Sequence, residues 1–209
     1  MKKFITAISL QGRDLKKNVY MPIKDAPKYE KPTSFPIMAS INASVSADEE
    51  IEVYAIVIGG DSDAAAQNRN YEIFEEELSA LSKEKGFRYT IKKIDKDEND
   101  DADALTSLFC RIIGLSEDGD ELSACITYGT KPISVVTIMA LHYAYRVHKN
   151  VDVKNIVYGR MLWNEGADHS AEIFDVSPLF YIDCATENLA KLNLKNPEEA
   201  LRLMLGLGD

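Results

Sequence analysis

The chain has 209 residues, 45% of them hydrophobic and 28% charged, so it is long and apolar enough to bury a full core. Its formal net charge of −10 argues against a general nucleic-acid-binding protein, whose affinity would need broad basic surface. No run approaches about 18 apolar residues, so the sequence predicts no membrane-spanning helix. Long nucleic acids and membranes are therefore not expected as partners.

The first predicted element is a strand over residues 4–10. Its apolar run stops at Gln11 with no small-residue cleavage site after it, which distinguishes it from a secretory signal. The three cysteines, Cys110, Cys125 and Cys184, lie far apart in apolar contexts, which is typical of buried thiols in a reducing compartment. We therefore expect a cytoplasmic protein with no disulfide framework and no zinc site.

Strand and helix patterns alternate along the rest of the chain. The first crossover, 11–49, contains four prolines and is predicted to become helical only around 35–46. Apolar residues recur at helical spacing over 71–81 and 105–112, and strands are predicted over 51–58, 88–94, 120–127 and 153–161. This alternation predicts an α/β, Rossmann-like fold: a mostly parallel, doubly wound sheet with helices on both faces.

The predicted helix over 131–148 carries apolar residues nearly all round. Such a helix is buried on more than one side. Two interpretations remain open: it packs against the sheet and against a second subunit, or it is fully internal.

Capping and turn residues indicate the structure of the remaining segments. The acidic run 95–101 is predicted to be an exposed turn that caps the next helix, facing solvent and holding no metal. Residues 172–183 are predicted to form one or two late strands, and Asn196 with Pro197 to open a last helix. We expect one domain over 1–185, followed over 186–209 by a helical extension or the start of a linker.

Topology predicts where a ligand would bind. In a doubly wound sheet the crevice lies at the carboxyl ends of the strands where their order reverses, here between the first and fourth strands. The fourth strand runs into a turn at 127–131, hereafter the 127–131 turn. In it Gly129 allows close backbone approach, Lys131 supplies a cation, and Pro132 suits the first turn of a helix whose amides would face an anion. A plain connecting loop is the alternative reading.

No other motif in the sequence points as clearly to a functional site. Neither of the two common nucleotide-binding glycine motifs occurs, so a nucleoside triphosphatase or a dinucleotide dehydrogenase is not expected. His142 and His148 lie on opposite sides of one helix and cannot share a ligand. His169 is the only histidine near carboxylates in the sequence, and we interpret it as part of a solvated loop.

The residues at the strand ends resemble the CRISPR-associated Rossmann-fold sensor (CARF) domains of type III CRISPR accessory proteins. The resemblance spreads over most of 1–185. It rests on Leu10-Gln11-Gly12, on Asp61-Ser62-Asp63 with the helix from Asn70, and above all on Ile126-Thr127-Tyr128-Gly129-Thr130-Lys131-Pro132-Ile133-Ser134. Two positions depart from the family pattern, because Cys125 stands where the family has Asp and Lys131 where Arg is frequent.

The resemblance implies a homodimer that binds one cyclic tetra- or hexa-adenylate, a second messenger of antiviral defence, across its twofold axis. It implies that Lys131 and the amides around Gly129 take phosphate or ribose oxygens, that Gln11 reads an adenine edge and that Arg13 closes over the ring. No cofactor or metal is expected. The ligand-binding residues that we predict are Leu10, Gln11, Gly12, Arg13, Asp61, Ser62, Thr127, Tyr128, Gly129, Thr130, Lys131 and Ser134.

Two alternatives to a pure sensor stay open. Some members of this family cut the ring that they bind without a metal, and Lys131 and Thr130, assisted by Ser9 and Gln11, are the candidate catalytic residues for that reaction. The other alternative is a Rossmann-like dimerisation or scaffold protein with no small ligand. A sensor would also need an output, either a fused or a separate effector domain.

Overall fold

A computed structural model describes residues 1–12, 15–59, 64–163 and 169–206. The chain divides into two compact units, Met1–Asp175 and Val176–Asp209. The first unit contains the sheet and the candidate site. The part of the second unit that the structure describes contains two helices, α5 (Ser177–Lys191) and α6 (Pro197–Met204).

The described residues of the first unit form one seven-stranded sheet. The strands lie in the order β2-β7-β6-β5-β1-β3-β4, and every neighbouring pair is parallel except β6 with β7. Their bounds are β1 Lys2–Ala7, β2 Tyr20–Pro22, β3 Glu50–Ile58, β4 Arg88–Lys96, β5 Glu121–Cys125, β6 Asp152–Trp163 and β7 His169–Asp175. The predicted α/β, doubly wound sheet is confirmed.

Among the described residues of the first unit, four helices cover the sheet, namely α1 (Ile37–Ser44), α2 (Ala64–Lys85), α3 (Ala102–Ile113) and α4 (Lys131–Val147). Alternate residues of a strand point to opposite faces. On β3, Val53 belongs to a core cluster with Phe74 of α2, whereas Tyr54 lines a small cavity together with Ile112 of α3 and Leu141 of α4. The near-continuous burial of β3 is typical of a central parallel strand covered on both sides.

Several sequence predictions need correction. The first strand ends at Ala7 instead of 10. Only the first part of 172–183 belongs to a strand, because α5 begins at Ser177 with Pro178 in its first turn. The short strand β2 was not predicted; it lies at the edge of the sheet, where a proline such as Pro22 is tolerated.

The helix α4 is not fully internal in the single chain. Ile133, Ala140 and Leu141 are buried, but Val135 and Met139 are 56% and 53% exposed. The cysteine prediction also holds only in part, since Cys125 and Cys184 are buried and Cys110 is exposed. Within the described part of the chain, no helix is both long and apolar enough to cross a bilayer.

Candidate functional site

The carboxyl ends of β1 and β5 lie side by side in the sheet. From β1 the chain order runs to β3 and β4 on one side and to β5 and β6 on the other, so the reversal of strand order falls between β1 and β5. The two strands pair in parallel from Lys2 with Glu121 to Thr6 with Cys125. The predicted location of the crevice therefore agrees with the topology.

Gly129 lets the 127–131 turn cross closely over the end of β1. Its φ is +89°, a left-handed value that side chains disfavour. A Cβ placed there would lie 3.0 Å from the Cβ of Ala7 and 3.5 Å from Ile133. The turn is thus packed directly on the first strand, which brings the two predicted parts of the site together.

The side chains of Thr127 and Tyr128 are held by the protein itself. The Thr127 hydroxyl oxygen accepts hydrogen bonds from the Gly159 N–H (2.8 Å) and from the Cys125 thiol (3.2 Å). The Tyr128 hydroxyl donates to the Ser34 carbonyl at 2.7 Å. Burial raises the pKa of both Cys125 and Tyr128, so the thiol and the phenol stay protonated. These residues shape the turn, and what they offer a ligand is mainly their backbone.

Thr130 and Lys131 begin α4 and differ in exposure. Thr130 is the N-cap residue, yet among the described residues its side chain makes no capping hydrogen bond, and its hydroxyl oxygen is shielded from solvent. Lys131 is exposed, and Pro132 follows it in the first turn. Ser134, one turn further on, donates back to the Ile126 carbonyl at 3.4 Å. A cation and the first amides of a 17-residue helix therefore meet at this point.

The segment 9–12, hereafter the β1 loop, forms the other side of the site. Ser9 is completely buried, Leu10 is 37% exposed, and Gln11 and Gly12 are exposed. Two hydrogen bonds from α2 reach the Ser9 carbonyl, from Gln67 Nε2 and from Asn70 Nδ2, both at 2.8 Å. Asn70 also donates to the Gln11 carbonyl at 3.0 Å.

Sequence reasoning assigned no role to Gln67 or to the Asn70 side chain. A signal for them existed, because they continue the buried stripe of α2 that runs through Phe74 and Leu78. Polar residues at buried helical positions need hydrogen-bond partners, and here the partners belong to the β1 loop.

The acidic run 95–101 is organised around a buried lysine. Lys96, the last residue of β4, has a side chain that is 3% exposed. Its ammonium donates to the carbonyls of Asp97 (3.0 Å) and Asn99 (2.7 Å) and pairs with the Asp100 carboxylate at 2.8 Å. The predicted cap is confirmed, since Asp101 accepts from the Ala104 N–H at 2.8 Å. The prediction of a wholly exposed turn is wrong at Lys96.

Asp100 lies near the N-cap residue of α4, Thr130. Partial burial alone would raise its pKa, but the Lys96 ammonium and the nearby Thr130 hydroxyl outweigh burial, and the pKa of Asp100 falls below its usual value. The carboxylate therefore stays ionised, with Lys96 as its ion-pair partner.

Some predicted residues lie outside the described part of the chain. These are Arg13 in the loop after β1 and Asp61 and Ser62 in the loop after β3, as well as the side chain of His169. His148 ends α4, with its Nδ1 3.5 Å from the Asp118 carboxylate. No group of three or more His, Cys, Asp or Glu residues that could hold a metal ion occurs among the residues described.

The described site thus combines a glycine-dependent turn, an exposed lysine, a long helix N-terminus and a loop whose carbonyls are held from behind. Such an arrangement can bind an anion through backbone amides and one ammonium group. Comparison with family models gives no match for this chain, and comparison with curated proteins gives none either.

Proposed function

We propose that the protein is a CARF-like sensor that binds a cyclic oligoadenylate, a cyclic tetra- or hexa-adenylate, between two copies of the chain. The observation that carries the proposal is the 127–131 turn, which Gly129 packs against Ala7 at the point where strand order reverses. The motif behind the CARF resemblance therefore coincides with the crevice in which doubly wound sheets bind ligands.

An anionic ligand fits the electrostatics of the turn. Lys131 is exposed, and the first N–H groups of α4 carry the positive end of the helix dipole. The chain as a whole has a net charge of −10, which disfavours long polyanions on its general surface. A small cyclic oligoadenylate needs only the local positive charge at the turn, so the net negative charge of the chain does not prevent its binding.

A second copy of the chain fits the exposed face of α4. Lys131, Val135 and Met139 follow one another at intervals of four residues and form a single stripe on the helix, hereafter the α4 stripe. Between α3 and α4 lies a groove of about 560 Å³, lined by Leu105, Phe109, Lys131, Val135 and Met139 among others. Exposed apolar side chains that lie together on one helix face, as Val135 and Met139 do, are candidates for an interaction surface.

The symmetry of the ligand supports the same arrangement. A ring of four or six identical adenylates has a twofold axis, and an isologous dimer offers the same donors to each half of the ring. Because Lys131 stands at the end of the α4 stripe, a dimer that buries this stripe carries both lysines at its rim. One ring per two chains is the stoichiometry that follows.

Binding without cleavage agrees better with the described side chains than the ring-nuclease alternative does. Ser9 is completely buried, and the Thr130 hydroxyl is shielded beside Asp100, so neither faces a ligand in this conformation. Among the four candidate catalytic residues, only Lys131 carries a positive charge, and its side chain is exposed. A single ammonium can bind a phosphate but does not align a ribose hydroxyl for in-line attack.

The decisive experiment is calorimetric titration of the full chain with cyclic oligoadenylates of each ring size. We expect one ring per two chains, and we expect Lys131→Ala to weaken binding by about tenfold to a hundredfold, the worth of a charge-assisted hydrogen bond. Lys149→Ala, which removes an exposed lysine beyond the other end of α4, is the matched control and should bind as the wild type does.

The outcomes separate the three functions. Absence of binding for every ring size would overturn the proposal in favour of a scaffold. Equal binding by the wild type and Lys131→Ala would overturn the assignment of the ring to the 127–131 turn. Chromatography of the ring after long incubation distinguishes a sensor, which returns it intact, from a ring nuclease, which returns linear products. Linear oligoadenylate of the same length serves as the ligand control.

A further inference from the structure

Two amide side chains of α2 hold the β1 loop from one side. Gln67 and Asn70 are 2% and 0% exposed, and together they donate to the carbonyls of Ser9 and Gln11. Arg69 adds a donor to the Gly12 carbonyl at 3.2 Å. Three carbonyls within four residues of the loop are therefore turned towards the same helix.

The orientation of these carbonyls determines where the loop's N–H groups point. In a trans peptide the C=O of one residue and the N–H of the next point in opposite directions, and the described chain has no cis peptide. The N–H groups of Leu10 and Gly12 consequently point away from α2. Neither donates a hydrogen bond to any described residue, whereas the Gln11 N–H is occupied by the Ser9 hydroxyl at 3.2 Å.

The 127–131 turn packs on the face of β1 that is opposite to α2. Phe4 of β1 shares a core cluster with Phe74 of α2, whereas Gly129 packs on Ala7, which lies three residues further along the strand and therefore on its other face. The direction away from α2 is thus towards the side of the sheet on which Gly129 packs. Exposed backbone N–H groups beside a helix N-terminus and a lysine form a typical anion-binding surface.

We propose that Gln67 and Asn70 are positioning residues that aim the N–H groups of Leu10 and Gly12 at a phosphate of the ligand. This inference rests on the proposed function for the identity of the ligand, but not for the way in which α2 holds the loop. It assigns phosphate recognition to the backbone of the β1 loop in addition to Lys131.

The unpaired atoms of the same side chains support a specialised role. Gln67 Oε1 and Asn70 Oδ1 are buried and have no hydrogen-bond partner among the described residues. An unpaired buried acceptor destabilises the folded chain, because it loses its hydrogen bonds to water and gains none in the protein. Apolar side chains would avoid that cost, so the amides are explained by the N–H groups that they supply to the loop.

The test uses two variants and one matched control in the full chain. Gln67→Met keeps the length of the side chain and removes both its donor and its unpaired acceptor, so the fold should be retained. Asn70→Asp keeps the shape but has no N–H to give. Asn68→Asp introduces the same charge at an exposed position of the same helix turn and is the control.

The first readout is independent of any ligand. Amide resonances of Leu10 and Gly12 in ¹⁵N-labelled protein should shift or broaden in both variants and stay in place in Asn68→Asp, at a melting temperature close to that of the wild type for Gln67→Met. A purely structural role would lower the melting temperature and leave the two resonances unchanged in folded protein. That result would overturn the inference.

The second readout uses the cyclic oligoadenylate ring that the wild type binds. Its addition should shift the Leu10 and Gly12 amides, and Gln67→Met should weaken binding by about tenfold, the equivalent of one lost hydrogen bond to a charged group. If the ring binds without moving these amides, the inference fails and the proposed function stands. If no ring binds, the proposed function and the assignment of a phosphate to these amides fail, and the resonances still decide how the loop is held.

Discussion

Two glycines near the candidate site occupy positions where a side chain would meet the rest of the protein. A Cβ on Gly159 would lie 2.5 Å from Cγ of Pro36 and 2.9 Å from the Tyr20 ring. The Gly159 N–H in turn donates to Thr127. Gly129 combines a close approach to Ala7 with a positive φ. The site is thus built by backbone that passes unusually near to its neighbours.

We expect Gly129→Ala to destabilise the protein and to weaken ring binding. A non-glycine residue at positive φ costs about 1–3 kcal/mol, and the 3.0 Å contact with Ala7 adds to that cost. Gly119→Ala is the control, since Gly119 has a φ of +80° but open space around it. Urea denaturation of both variants should give the larger loss for Gly129→Ala; an equal loss would mean that the contact with β1 carries no energy.

At the scale of elements, an ion pair stabilises the turn between β4 and α3. Lys96 lies at the centre of this acidic turn, where its ammonium binds the Asn99 carbonyl and the Asp100 carboxylate. The pKa of Asp100 is lower in the folded chain than its ordinary value. Its ionised form therefore favours the fold above the ordinary Asp pKa, and this contribution is lost as the pH falls through the lower, folded value.

Lys96→Met should remove this contribution. The methionine keeps the buried stem but lacks the ammonium, so the turn loses its carbonyl and carboxylate contacts, and the free energy of unfolding should fall by about 1–3 kcal/mol near neutral pH. Between about pH 7 and pH 3 the variant should lose less stability than the wild type, because Asp100 no longer has a lowered pKa. Lys93→Met removes an exposed pair with Asp95 on the same strand and should change little. A wild-type-like pH profile for Lys96→Met would contradict this reading.

Local pattern predicted most of the elements and the location of the crevice. Alternation of buried strands and amphipathic helices predicted a mostly parallel, doubly wound sheet, and the usual strand order of such sheets placed the crevice between the first and fourth strands. The features that the local pattern did not predict depend on contacts between distant residues. Strand β1 ends at Ala7, and the Ser9 carbonyl beyond it accepts a hydrogen bond from the Asn70 side chain of α2 instead of from a strand. Lys96 is buried only because the turn folds around it. The strand predicted through 183 was an error of local reading, since Ser177 and Pro178 are typical of a helix start.

At the scale of the whole molecule, the proposed function would couple ligand binding to association through the α4 stripe. One face of α4 is buried in the chain, and its other face begins with Lys131 and continues with exposed apolar side chains. If two copies cover this face, the ring and the interface share the lysine, so each stabilises the other by mass action. A monomer would present only half of the donors to a twofold-symmetric ring.

Met139→Glu should therefore weaken both dimerisation and ring binding. A carboxylate placed in an apolar interface must lose its hydration without gaining a partner, which costs several kcal/mol. The dimer dissociation constant should therefore rise by about a hundredfold or more. Met21→Glu makes the same exchange on the exposed edge strand β2, where the methionine is 57% exposed, and should leave both properties unchanged. Sedimentation velocity with and without the ring measures the association, and calorimetry measures the binding. If Met139→Glu sediments and binds the ring as the wild type does, the dimer interface does not lie on α4. If the ring binds a single chain, ring binding does not require a dimer.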